Sequence, residues 1–153
     1  MGRVIRLRAV TDDNRDAVLA VRVSPAQEQF VGGVAESLQE AVDEPAGRAV
    51  FRAVYDDETL VGFVMWSEEV EEPRYISHYL WRLLIDERHQ RRGHGTAVLD
   101  LVAARFRECG AAVMSTSAGQ GEGSPIAFYE RYGFERTGDI VFDDEVLLEL
   151  RLR

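Results

Sequence analysis

The run Gln90-Arg91-Arg92-Gly93-His94-Gly95-Thr96 holds the residue types that bind a bulky anion. It lies between an apolar stretch, Leu83-Leu84-Ile85, and an amphipathic one in which Val98, Leu101, Val102 and Arg105 mark successive helical turns. A helix starting here presents unpaired backbone N–H groups and a partial positive charge. Gly93 and Gly95 let the chain pass close to the anion, and Arg91 and Arg92 add direct charge. These features make a pyrophosphate cradle. The spacing is neither Gly-x-Gly-x-x-Gly nor a P-loop ending in Gly-Lys-Ser/Thr. The plainer reading is a tight strand-to-helix turn with solvated arginines.

A second run, Gly121-Glu122-Gly123-Ser124-Pro125-Ile126-Ala127-Phe128-Tyr129-Glu130-Arg131-Tyr132-Gly133-Phe134, starts a short helix at Pro125 and ends it at Gly133. Tyr129 sits mid-helix, as either a functional hydroxyl or a core aromatic.

The elements that position these runs follow from periodicity. Val4, Ile5, Leu7 and Ala9 nearly alternate with arginines, which predicts a first strand. Thr11-Asp12-Asp13 offers a helix cap before Ala17, Val18 and Val21. Ser24-Pro25 opens a second helical region carrying Phe30 and Val31. Gly32-Gly33 interrupts it, and Ala35, Leu38 and Val42 continue the period. Residues 49–55 and 60–66 read as a hairpin, and residues 75–85 as a long β-rich run whose end is buried on both faces. A helix over 93–109, capped by Gly110, precedes a short strand over 111–115 and the helix of Tyr129. Phe134-Glu135 opens another strand, and residues 146–152 alternate as the last. An antiparallel unit therefore feeds a helical crossover into a parallel neighbour.

The two chemical runs at this separation resemble the GNAT superfamily of N-acetyltransferases, and the resemblance covers nearly the whole chain. Gln90-Arg91-Arg92-Gly93-His94-Gly95 matches that family's Gln/Arg-x-x-Gly-x-Gly/Ala motif, and Tyr129 stands four residues before Gly133-Phe134. Within the superfamily the chain is similar to bacterial spermine/spermidine (diamine) acetyltransferases. Tyr79-Leu80-Trp81-Arg82-Leu83-Leu84-Ile85-Asp86, Gly121-Glu122-Gly123-Ser124-Pro125, Phe128-Tyr129-Glu130, Phe30-Val31 and Ser37-Leu38-Gln39-Glu40-Ala41 carry that closer likeness.

The resemblance implies an α/β (α+β) fold, one domain over residues 1–153. Its sheet would be mixed and mostly antiparallel, of about six or seven strands flanked by helices. It implies acetyl-CoA as cosubstrate, no metal, and binding at the splay after the central strand. Pantetheine would run along Leu83, Leu84 and Ile85, and pyrophosphate would sit on Gln90 to Thr96, with Ser124 nearby. Tyr129 would be the general acid. The general base is open between a water chain, His78 and Glu28. Glu28, Glu36 and Glu40 are available to an acceptor amine, Glu28 being preferred, and Tyr79 and Trp81 offer an aromatic wall for an alkyl chain or ammonium group. The acceptor would be a polyamine or other small cationic amine. An amino acid, an antibiotic amine or a protein terminus is the alternative acceptor, and a noncatalytic acyl-CoA sensor the alternative role. A homodimer is the default assembly of such relatives.

Composition narrows the classes further. Eighteen Lys+Arg against 27 Asp+Glu give a formal net charge of −9. That disfavours a nucleic-acid backbone as partner and suits a cationic small molecule. The single cysteine, Cys109, excludes an intrachain disulfide and a zinc site built on several thiolates. Residues 1–8 lack an apolar signal core, Gly2 lacks a myristoylation context, and no apolar run is long enough to span a membrane. The expectation is a cytoplasmic protein. The acidic run Glu68 to Glu72 is either a solvated loop or a device for steering cations.

Overall fold

The computed structural model describes residues 4–152. The readings at Gly2 and at the extreme ends of the domain lie outside the described residues. The apolar–arginine alternation becomes β1 (Ile5–Arg8), paired antiparallel with β2 (Ala49–Asp56). Between them run α1 (Arg15–Leu19), α2 (Pro25–Glu28) and α3 (Val34–Asp43). Asp57, at φ 53°, turns β2 into β3 (Thr59–Ser67), and β4 (Tyr79–Ile85) completes an antiparallel meander. α4 (His94–Glu108) crosses back, and β5 (Val113–Ala118) joins parallel to β4. α5 (Ile126–Tyr132) leads to β6 (Glu135–Val141) and β7 (Glu145–Arg151). The strand order is β1-β2-β3-β4-β5-β7-β6, with β4–β5 the parallel pair.

The sheet separates two cores. On one face α4 and α5 bury Val98, Leu99, Val102, Phe106 and Ile126 against Leu80, Met114 and Leu148. On the other, Val18, Val34 and Leu38 cover Ala53, Phe63, Met65 and Leu84. Gly110, at φ 82°, ends α4 in the left-handed conformation that its position requires.

Several expectations change. Asn14, rather than Thr11-Asp12-Asp13, precedes the first helical residue, and its Oδ1 accepts from the Thr11 N–H at 2.8 Å. The region after Ser24 forms two helices, because the Gly32-Gly33 pair leaves Phe30 and Val31 in the connection. Ala41 takes the core-facing position after Leu38, so Val42 is 74% exposed. The run before β4 is not strand: His78 sits at φ 52° and breaks the extended backbone. Leu84 is buried, but Leu83 and Ile85 are only half-buried, since both face an open cleft.

Close packing of β3 on β4 gives a test. A Cβ on Gly62 would collide with the Leu84 carbonyl oxygen, which is backbone and cannot swing away. Gly62→Ala should therefore cost about 1–3 kcal/mol, the usual range for overpacking. A lowered denaturant midpoint with an unchanged slope checks it.

Candidate active site

β4 and β5 pair at Tyr79↔Ser115 and Leu80↔Thr116 and no further. Beyond Leu80 the strands part, so among the described residues β4 from Trp81 to Ile85 has no strand neighbour on that side. The Thr116 hydroxyl donates to the Leu80 carbonyl at 3.1 Å, at the point of parting. The Tyr129 hydroxyl, arriving from α5, bonds the Thr116 hydroxyl. Tyr129 is buried, and loss of water around the phenol pushes its pKa up to about 12.

Two clefts meet at this point. The larger, about 690 Å³, runs past Leu83 and Ile85 to the loop Gln90–Thr96, and is closed on the far side by Gly123, Ser124, Phe128 and Tyr129. At its end α4 begins. Its N-cap Gly93 makes no side-chain cap, so the first N–H groups of a 15-residue helix are left for a ligand. Gly93 and Arg91 both take left-handed backbone, at φ 81° and 64°, the arrangement that turns successive N–H groups inward. A Cβ at Gly95 would press on the Phe128 ring at 3.0 Å, so this wall needs glycine for close approach. The donors and cations fit a pyrophosphate, and the open edge of β4 fits a pantetheine amide chain.

The side chains of the cradle divide their work. Arg91 and Thr96 are exposed and line the cleft. Arg131, which in sequence reads as one more surface arginine, lines it too. Arg92 is exposed and does not line it. The Gln90 amide N–H₂ is spent on the Ile85 carbonyl at 2.8 Å and Gln27 Oε1 at 2.9 Å. It therefore ties α2 to the end of β4, while the residue itself lines the cleft. His94 is buried with its Nε2 at 3.7 Å from Asp56 Oδ2, so it contributes its backbone to the cradle. Ser124 Oγ donates to the Gly119 carbonyl and accepts from the Ile126 N–H, shaping the turn into α5. Leu84 points to the opposite core, leaving only its backbone on this strand.

The second cleft, about 300 Å³, shares Val31, Leu83, Pro125 and Tyr129 with the first. Its character is opposite: Glu28, Glu36 and Glu145 line it, with Trp81 and Arg82. Trp81 and Arg82 also border a neighbouring hollow with Glu40, Glu44, Tyr75 and Tyr79. Trp81 is fixed by its Nε1–H donated to Ser67 Oγ and by stacking on Tyr75 at 6.2 Å. Arg82 donates to Glu40 at 2.7 Å; burial still holds the Glu40 carboxyl above the usual range, against the pull of that guanidinium.

Of the other sequence candidates, Glu28 does line the second cleft, and Tyr79 lines the adjoining hollow. His78 does not join them. Its ring packs edge-on against Phe106 at 5.2 Å, over α4, because the left-handed backbone at His78 turns the chain before β4 begins. That position does not suit a base for the acceptor. Glu68 is a structural tie, accepting from Arg105 at 2.8 Å and Trp66 at 3.2 Å. Glu145 and Ser117 escape sequence reading because they lie outside both motifs, on strands whose pairing the sequence does not spell out.

Comparison with known proteins converges on one group. The acetyltransferase (GNAT) family matches residues 6–134. A spermine/spermidine N(1)-acetyltransferase of Bacillus subtilis (strain 168) is 30% identical over 154 residues, covering 94% of this chain and 96% of the relative. Among solved structures, an acetyltransferase from Thermus thermophilus superposes with a TM-score of 0.67 at 20% identity, over 97% of each chain. The PaiA N-acetyltransferase of Thermoplasma acidophilum, solved in complex with coenzyme A, gives a TM-score of 0.66 at 14% identity, over 97% of this chain and 99% of that one.

The cradle gives a binding test. A ligand that binds only the folded state adds RT ln(1 + [L]/Kd), about 2.7 kcal/mol at a hundredfold excess over Kd. Acetyl-CoA should raise the melting temperature of the wild type. Arg91→Ala combined with Arg131→Ala should remove most of the rise at the same ligand concentration, while leaving the unliganded melting temperature nearly unchanged. Thermal unfolding with and without ligand reads both.

Proposed function

The chain belongs to the acetyltransferase (GNAT) family, and from that membership we propose that it moves the acetyl group of acetyl-CoA onto a small cationic amine, a polyamine such as spermine or spermidine. The observation that carries this reading is the junction of the clefts: Tyr129 stands between a cationic cradle and an acidic cleft. Acetyl-CoA supplies an activated thioester. Arg91, Arg131 and the N–H groups opening α4 would hold its pyrophosphate, and the unpaired edge of β4 its pantetheine.

The chain's own groups then perform three tasks. The backbone of β4 holds the thioester in line with the acceptor. The acidic cleft attracts an ammonium group, and the Trp81 face offers a surface for the alkyl chain. Tyr129 keeps its proton at neutral pH and gives it to the departing thiolate. A phenol near pKa 12 is a weak acid toward a solvated thiol of pKa ~8.5. The same dry site that raises the phenol also raises the thiol, which brings the two closer. The name of the Bacillus subtilis relative favours the polyamine over an amino acid or peptide terminus.

Coenzyme A release should be measured over spermine, spermidine, diamines, amino acids and an N-terminal peptide. Highest kcat/KM with the polyamines is expected; a peptide or amino acid ahead of them would replace the acceptor. Tyr129→Phe removes the hydroxyl without opening a cavity. Turnover should fall ~10²–10⁴-fold at neutral pH with acetyl-CoA affinity kept. The deficit should shrink toward pH 9, where the thiolate leaves with less help. Because Tyr129 titrates near pH 12, the wild type should show no alkaline loss from this residue below about pH 10.

A further inference from the structure

β4 and β5 place two hydroxyls in series behind a carboxylate of β7 at the acidic cleft. Tyr79 OH lies 2.6 Å from Ser117 Oγ, and Ser117 Oγ donates to Glu145 Oε1 at 2.7 Å. Since the Ser117 proton goes to Glu145, the Tyr79 proton goes to Ser117, and both dipoles point at the carboxylate. Burial pushes the Tyr79 phenol above the ordinary tyrosine range, so the chain keeps its direction at any ordinary pH. Glu145 is half-buried at the start of β7 and lines the same cleft as Tyr129. Glu28, by contrast, is exposed on a four-residue helix.

We propose that Glu145 is the group that takes the proton from the acceptor ammonium, with Ser117 and Tyr79 as positioning residues that aim it. The assignment rests on the acetyl transfer proposed above. Glu145 accepts one proton from R–NH₃⁺, leaving a lone pair on nitrogen. That pair forms the C–N bond at the thioester carbonyl, and the C–S bond breaks toward sulfur. The thiolate takes the Tyr129 proton. A second nitrogen proton leaves to solvent as the amide forms, and the proton on Glu145 returns through solvent to the Tyr129 phenolate. The sum is amide, free thiol and one released proton.

Other charged groups face Glu145. Glu28, Glu36, Arg82 and Tyr129 share its cleft. Glu40 and Glu44 face it across the neighbouring hollow, which Glu145 also lines. Among these carboxylates Glu44 accepts one hydroxyl, that of Tyr75 at 2.9 Å, and Glu40 accepts from Arg82, whereas two hydroxyls in series stand behind Glu145. A carboxylate fixed from behind, beside the acid that serves the leaving group, is the arrangement that proton transfer at both ends of one reaction requires.

The test is Glu145→Gln, which keeps an acceptor for Ser117 and loses the basic group. At neutral pH, kcat should fall ~10²-fold or more, with the acetyl-CoA thermal shift unchanged. The variant must draw on amine already free in solution. Its rate should therefore climb about tenfold per pH unit below an alkylamine pKa near 10, as for the lysine side chain, and more steeply than the wild type. Ser117→Ala should lose less and keep the wild-type pH slope. Wild-type kcat and slope in Glu145→Gln would overturn the assignment, and so would a rise in KM alone, which would make Glu145 an anchor. A wild type that binds acetyl-CoA but releases no coenzyme A with any amine would instead overturn the acetyl-transfer reading on which this one rests.

Discussion

The site depends on two strands that pair for two residues and then part. A parallel pair in mid-sheet normally continues, because every unpaired backbone group in an apolar setting costs a hydrogen bond. Here β4 and β5 separate after Leu80↔Thr116. The separation survives because each strand is secured on its other side. β4 pairs with β3 from Tyr79 to Ile85, and β5 pairs with β7 from Val113 to Ala118. The freed edge of β4 borders the larger cleft through Leu83 and Ile85, and in the proposed function it is the surface that takes the pantetheine. Thr116 marks the apex, with its hydroxyl on Leu80 and Tyr129 on its hydroxyl.

That opening lets one chain keep two fields of opposite sign close together. The net charge of −9 would repel a pyrophosphate in the abstract. The cradle overcomes it locally, with the N-terminus of α4, the inward-turned backbone at Arg91 and Gly93, and two arginine side chains. The acidic side keeps the sign of the whole protein and concentrates it in a cleft, where low-dielectric walls focus the field on a cation. Tyr129 lines both clefts, and in the proposed reaction it is there that the cosubstrate's sulfur and the acceptor's nitrogen would meet.

The cosubstrate half of this site is largely legible in the sequence. The arginine- and glycine-rich turn at residues 90–96, taken with Tyr129 four residues before Gly133-Phe134, carries the family resemblance, and it is the resemblance that implies their roles. The acceptor half is not. Its carboxylates come from α2, α3 and β7, and only pairing and packing bring them to one cleft. His78 illustrates the difference. In sequence it adjoins β4 and reads as a strand residue near the chemistry, but a left-handed backbone at that residue sends its ring to Phe106. Likewise Leu84 alternates with its cleft-facing neighbours, so the apolar run splits between a core and a cleft. Gln90 and His94 match a motif whose side chains brace the turn, through Gln27 and Asp56, while the backbone faces the cleft.

The central claim is that one opening in the sheet joins the two binding clefts at Tyr129. A crystal structure with a bisubstrate analogue, coenzyme A joined through an S-acetyl bridge to spermine, tests it most directly. The account predicts pyrophosphate oxygens on the Arg91–Thr96 backbone, sulfur within hydrogen-bond reach of the Tyr129 hydroxyl, and the amine nitrogen next to the bridge in the cleft of Glu28, Glu36 and Glu145. A polyamine arm lying outside that cleft, or a sulfur remote from Tyr129, would contradict it.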